Sequence, residues 1–268
     1  MSEAAYAYKA EKPRNPKRDP LLELKNICVE FDGFKALTNV STNIMPNEIH
    51  FFIGPNGAGK TTLLDVICGK TKPVSGRAMY HDGSDLTRMR EFEIVHKGIG
   101  RKFQAPSVFV NLTVLENMEL SLRGNKGVFA SFFAHTTAEQ SKEIDKVLTI
   151  VDLLDYKQEV ASSLSHGQKQ WLEIAMLMLQ SPEILLLDEP VAGMGKPETR
   201  KTGEILREIA KRYSVCVVEH DMEFVRDFAE RVTVMHEGKV LVEGSVDDAL
   251  NNETVKAVYL GRGGEEEC

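Results

Sequence analysis

The run Gly54, Pro55, Asn56, Gly57, Ala58, Gly59, Lys60, Thr61 has the residue types and spacing to hold a phosphate chain, and Thr62 continues it. It fits the pattern GxxxxGK[ST] without a mismatch. Glycine is needed because the backbone must curl with its N–H groups inward, and side chains would block the phosphates. A helix starting near Lys60 adds its positive dipole end. Lys60 is expected to reach the β- and γ-phosphates, and the Thr61 hydroxyl to ligate Mg2+. The competing reading, a glycine turn before a helix, is weakened by the context: a buried strand, "EIHFFI", precedes the loop and an apolar helix follows it.

A second constellation lies in "ILLLDEP". Ile184 to Leu187 read as a buried parallel strand, with Asp188 and Glu189 at its carboxyl end, where open α/β sheets bind ligands. Asp188 is expected to hold magnesium, largely through water, leaving Glu189 to orient or deprotonate an attacking water. Three further residues depend on this framework. Gln104, in "RKFQAP", can touch magnesium or the water. His220, after the strand "SVCVVE", can contact the γ-phosphate. Phe31, in "VEFDGF", can stack on adenine, with Phe34 as the competing choice. Each alone is more often structural; the framework gives them a chemical role.

"LSHGQ", residues 164–168, offers a serine hydroxyl, a glycine N–H and a helix start, but no lysine and no preceding strand. It cannot be a complete second nucleotide site. It can complete another chain's site: a copy related by a two-fold axis would present Ser165, Gly167 and Gln168 to the γ-phosphate held by the first chain's loop. N-capping by Ser165 uses the same hydroxyl and is compatible with that role.

These groups must be positioned by a chain of 268 residues, long enough for one large domain with a lobe inserted in it. A net charge of −7 argues against a dedicated nucleic-acid binder. Cys28, Cys68, Cys216 and Cys268 have no metal-like spacing and read as reduced thiols. No secretory signal or apolar run of about 18 residues suggests a membrane span. Residues 1–20 read as a poorly ordered basic tail and 263–268 as a second tail. "LLELKNICVEF", "ALTNVSTNI" and "GRAMYHDG" alternate as half-buried antiparallel strands. Residues about 105–180 read as helical, and from 183 onward strand and helix alternate, implying a mostly parallel sheet. A helical lobe therefore interrupts an α/β core spanning 21–262. Phe129, Phe132 and Phe133 sit in that lobe and either line a docking groove or pack internally.

In this order, the motifs resemble the ATP-binding subunits of ABC transporters, over residues 21–262. The resemblance implies a P-loop NTPase fold: a RecA-like, mostly parallel core with an antiparallel β subdomain and an inserted α-helical subdomain. It implies ATP and Mg2+ as ligands, with ATP held by Phe31 and residues 54–62 and Mg2+ by Thr61, Gln104 and Asp188. Glu189, His220, Gln104 and Lys60 form the implied catalytic set, and Ser165, Gly167 and Gln168 the contact in trans. The implied partners are a second ATPase subunit (a copy or a related chain), two integral-membrane permeases and, indirectly, a solute-binding protein. The implied place is peripheral, on the cytoplasmic face of the inner membrane. A soluble ABC ATPase acting on DNA or ribosomes fits less well, as there is no heptad arm and the charge is negative. Two departures stand out: His166 where glycine is usual, and Gly195 in "PVAGMGKPE" where aspartate is common. "SHGQKQWLEI" and "EPVAGM" liken the chain to the urea importers within the branched-chain amino acid branch, so urea is the expected solute and branched-chain amino acids the alternative.

Overall fold

The computed structural model describes residues 19–102, 108–122 and 136–260. The chain opens with β1 (Leu22–Phe31) and β2 (Phe34–Ile44), passes through β3 (Ile49–Ile53) into α1 (Lys60–Ile67), and returns to the edge strand β4 (Ser75–Tyr80). The short helix α2 (Glu91–His96) precedes β5 (Ile99–Lys102). The helices α3 (Val114–Ser121), α4 (Ala138–Ile150) and α5 (His166–Met178) follow. Strand and helix then alternate as β6 (Ile184–Asp188), α6 (Lys196–Ala210), β7 (Ser214–Val218), α7 (Met222–Phe228) and β8 (Arg231–His236). The hairpin strand β9 (Lys239–Gly244) and the helices α8 (Val246–Asn251) and α9 (Glu253–Leu260) complete it.

Two sheets result. The strands β2-β1-β4 form an antiparallel three-stranded sheet, and β5-β6-β7-β3-β8-β9 form a six-stranded one. All neighbours in the larger sheet are parallel except β8 and β9. Its central strands read as unbroken apolar runs because both faces are covered. Phe51, Leu185, Leu187, Val215 and Val217 enter the core shared with the helices α3 to α7. Their sequence neighbours Phe52, Ile184, Leu186, Cys216 and Val218 enter the other core, shared with α1 and the antiparallel sheet. The period of two along each strand therefore feeds two cores at once. Fully burying each leucine or phenylalanine contributes about 1.5–3 kcal/mol.

Helices α3, α4 and α5 each begin at a capping box, with Thr113, Thr137 and Ser165 as the caps and Glu116, Gln140 and Gln168 reaching back. A buried ion pair between Lys102 on β5 and Glu173 on α5, 3.4 Å, ties these helices to the sheet. A polar network joins the two sheets: the Thr42 hydroxyl of β2 donates to Glu243 of β9 at 2.5 Å, and Arg231 of β8 donates to Asn43 Oδ1 of β2 at 2.6 Å. Beside the loop that precedes α1, the Thr38 amide of β2 donates to the Gly238 carbonyl at 2.8 Å, and Ala36 and Leu37 lie against Gly59. Among the described residues, no helix is long and apolar enough to cross a membrane. The basic tail, Phe129, Phe132 and Phe133 lie outside the described residues.

Candidate active site

The loop 54–59 joins β3, in the middle of the sheet, to α1. Gly59 is the N-cap of α1 at φ 97°, and a Cβ there would lie 2.7 Å from Leu37 and 2.9 Å from the Ala36 carbonyl. Only glycine fits both that conformation and that approach. Gly57 also has positive φ, 79°, but a Cβ on it would meet nothing within 4 Å, so the loop faces open space there. No side chain caps α1, and no acidic residue stands in its first turn. Its N-terminal donors are thus free of side-chain anions.

Lys60 is buried, and its ammonium donates to the carbonyls of Gly54 at 2.7 Å and Pro55 at 3.0 Å. Burial pulls its pKa down, while the negative charges of Glu189, Asp188 and Glu219 push it back up. Asp188 ends β6, in register with Val218 of β7. It is 2% exposed, and burial raises its pKa against the opposing effects of the Arg101 charge and a hydrogen bond from the Thr61 hydroxyl. Arg101 Nη2 stands 3.5 Å from Asp188 Oδ2, while its Nη1 pairs with Asp65 of α1 at 2.5 Å. Among the described residues, Asp188 Oδ1 is buried with no hydrogen-bond partner. A buried carboxylate oxygen without a donor is costly unless something else satisfies it. A hard cation or its water fits that position, and Thr61 with Asp188 is the oxygen donor set that Mg2+ takes alongside substrate phosphates.

Glu189 follows at φ 47°, a left-handed conformation uncommon for a side chain of this kind. Its amide donates to the Val218 carbonyl at 2.9 Å, and Oε1 lies 3.4 Å from Nδ1 of His220. Lys60, Thr61, Asp188, Glu189 and His220 therefore converge at the carboxyl ends of β3, β6 and β7. Phe31 and Phe34 face each other across the Asp32-Gly33 turn, 48% and 69% exposed, so either ring is available for stacking. Gln104 lies outside the described residues. Ser165, Gly167 and Gln168 stand at the start of α5, where within this one chain Ser165 and Gly167 meet Glu198 in the first turn of α6. The Ser165 hydroxyl donates to Glu198 Oε1 at 2.9 Å and accepts from the Gln168 amide at 3.2 Å. A Cβ on Gly167 would lie 2.8 Å from the same Glu198 oxygen.

Three charged residues enter the site without having been singled out from sequence: Arg101, Glu198 and Glu219. Glu219 is 1% exposed, and burial raises its pKa, offset by the amides of His220 and Val191. Its adjacency to His220 at a strand end was the available signal. Arg101 stood three places before Gln104, but its partners come from α1 and β6, which spacing along the chain does not reveal.

The sequence profile of the ABC transporter family matches residues 37–192. The high-affinity branched-chain amino acid transport ATP-binding protein LivG of Escherichia coli is 34% identical over 90% of this chain and 98% of its own. BraF of Pseudomonas aeruginosa, named for the same transport, is 30% identical over 90% of this chain and 98% of its own. In structure, the chain is similar to the ADP conformation of MJ1267, an ATP-binding cassette of an ABC transporter. The TM-score is 0.80 at 29% identity, over 91% of this chain and all (100%) of that one. It is also similar to the cassette MJ0796, a dimer in a post-hydrolysis state bound to ADP and Pi, with a TM-score of 0.69 at 28% identity over 84% of this chain and 98% of that one.

The expected fold class, ATP hydrolysis and the ATP and Mg2+ ligands stand. Urea as the solute does not: these relatives are named for branched-chain amino acid transport. "SHGQKQWLEI" and "EPVAGM", which carried the urea reading, are packed on each other, with His166 Nε2 3.1 Å from the Ala192 carbonyl. They form one local contact between α5 and the loop after β6.

Proposed function

Because the chain belongs to the ABC transporter family, we propose that its ATP hydrolysis drives an importer of branched-chain amino acids. The observation that carries the motor reading is the convergence of Lys60, Thr61 and a partnerless, buried Asp188 oxygen at the ends of neighbouring strands. The solute is supported by the names of the relatives.

In this reading residues 54–62 wrap the phosphates with backbone N–H groups. Lys60 leaves the Gly54 and Pro55 carbonyls for the β- and γ-phosphate oxygens, and its charge opposes the negative charge developing there. Asp188 and Thr61 hold Mg2+, together with Gln104. Bound there, the ion neutralises phosphate charge and orients the γ-phosphate. Glu189 accepts a proton from, or orients, the attacking water, and His220 fixes Glu189 and the γ-phosphate edge. Phe31 or Phe34 stacks on adenine.

Ser165, Gly167 and Gln168 complete the site of a partner ATPase, a second copy or a related chain, as a two-fold arrangement requires. A dimeric cassette among the similar structures supports this. Closure of the pair moves two membrane-embedded permeases against which the helical part, about 105–180 of a 21–262 cassette, is seated. A solute-binding protein acts on the far side. The chain itself is peripheral, at the cytoplasmic face of the inner membrane, and takes no nucleic acid. The test is uptake of labelled leucine in cells lacking this chain, rescued by the parent or by Lys60→Ala. Rescue by the parent alone is expected; uptake unaffected by loss of the chain overturns the solute reading.

A further inference from the structure

The loop after β6 is held at successive points. The Val191 amide donates to Glu219 Oε1 at 3.3 Å, the Ala192 amide donates to the Glu189 carbonyl at 3.2 Å, and the Gly195 amide donates to Glu198 Oε2 at 3.4 Å. His166 adds a hold from α5. Its Nε2 lies 3.1 Å from the Ala192 carbonyl, and its ring covers Gly193, where a Cβ would sit 3.6 Å from Nε2. Ala192 is thus gripped at both ends of its peptide units, by Glu189 on the amide side and by His166 on the carbonyl side.

The proton on the ring follows from its partners. A carbonyl only accepts, so Nε2 must carry hydrogen. The side-chain amide nitrogen of Gln170, a residue 3% exposed, also lies 3.4 Å from Nε2, and its amide oxygen is without a hydrogen-bond partner among the described residues. An Nε2–H is matched by that amide only when its oxygen faces the ring. The Ala192 carbonyl therefore selects the form in which the ring donates from Nε2, and the Gln170 amide fits that form once its oxygen is turned to the ring.

We propose that His166 is a positioning residue for hydrolysis: it clamps the 190–195 loop to the start of α5 and so holds Glu189 in its left-handed turn. His166 in a place where glycine is common and Gly193 beneath it then form a matched pair. The effect on hydrolysis rests on the assignment of Glu189 as the water-orienting group, while the clamp itself does not.

The test compares the full-length parent with His166→Gly and His166→Gln. Glycine at the first turn keeps the Ser165 cap, and glutamine restores a side-chain N–H donor. Without nucleotide, amide exchange over 191–195 is expected to speed up in His166→Gly and return toward the parent in His166→Gln. With ATP, kcat is expected to fall roughly 3- to 10-fold in His166→Gly with KM unchanged, the loss of about one hydrogen bond. Unchanged exchange in His166→Gly overturns the clamp whatever Glu189 does. Faster exchange with an unchanged kcat overturns its role in hydrolysis. Glu189→Gln is measured alongside: turnover at the parent rate there overturns the Glu189 assignment and leaves the exchange result to decide the clamp.

Discussion

Helix α1 begins at Gly59 with no side-chain cap, whereas α5 begins at Ser165, whose hydroxyl already accepts from Gln168 and donates to Glu198. At α1 the group nearest the loop is a cation, Lys60, resting on the loop's own carbonyls. At α5 it is an anion, the Glu198 carboxylate, resting against Gly167. A phosphate arriving at α1 needs Lys60 only to turn. A phosphate arriving at α5 must displace or repel a carboxylate. On the function proposed above, the first helix start serves nucleotide within one chain, and the second engages only when closure with a partner offsets that cost.

The strongest way to break this comparison is Glu189→Gln. Turnover is expected to fall by about 10²–10⁴-fold, the contribution of a positioned base, with ATP binding retained. Phosphate release and equilibrium nucleotide binding measure the two, and turnover at the parent rate would remove Glu189 from the chemistry. Lys60→Ala attacks the α1 side alone. Loss of roughly 10²–10³-fold in turnover is expected, as for one lost donor to developing charge. Normal hydrolysis in that variant would sink the assignment of residues 54–62.

A smaller effect separates the two exposed rings of the β1–β2 hairpin. Whichever of Phe31→Ala and Phe34→Ala removes the stacking partner should weaken ATP binding by about 1–3 kcal/mol, and the other should not. If nucleotide titrations of both match the parent, the hairpin does not meet the base. The smallest change tests the α5 side. Glu198→Gln removes the charge but keeps an acceptor for Ser165. In the Glu189→Gln background, ATP-driven dimerisation is expected to tighten by a few-fold, on the scale of one exposed charge interaction. Weaker dimerisation by sedimentation would mean that Glu198 supports closure and that the contrast with α1 is misjudged.

Much of the molecule was readable because local rules and the final packing agree. The loop 54–61, the strand before it and the helix after it form one contiguous unit, so their spacing carries their geometry. Strands β6 and β7 announce two-sided burial by their unbroken apolar runs. What was not readable is long-range. Nothing local puts β3 between β7 and β8, since that order is set by two cores assembled from the whole chain. Arg101 reaches Asp65 and Asp188, and Glu198 reaches Ser165, across tens of residues. The solute was misread because "SHGQKQWLEI" and "EPVAGM" were taken as marks of the urea importers, while the relatives are named for branched-chain amino acid transport.

The backbone at Glu189 has an evolutionary reading. Along a regular strand adjacent side chains point to opposite faces, so Asp188 and Glu189 could not both act on Lys60 from an unbroken β6. The left-handed turn at φ 47° lets both do so, since both carboxylates raise the Lys60 pKa. A chain selected for folding alone would favour asparagine or glycine there, because other residues lose about 1 kcal/mol in that conformation. Glu189→Asn should therefore melt at a higher temperature than the parent while losing turnover; a lower melting temperature would dismiss the strain. On that account the chemistry proposed for Glu189 and the stability of its backbone pull position 189 in opposite directions.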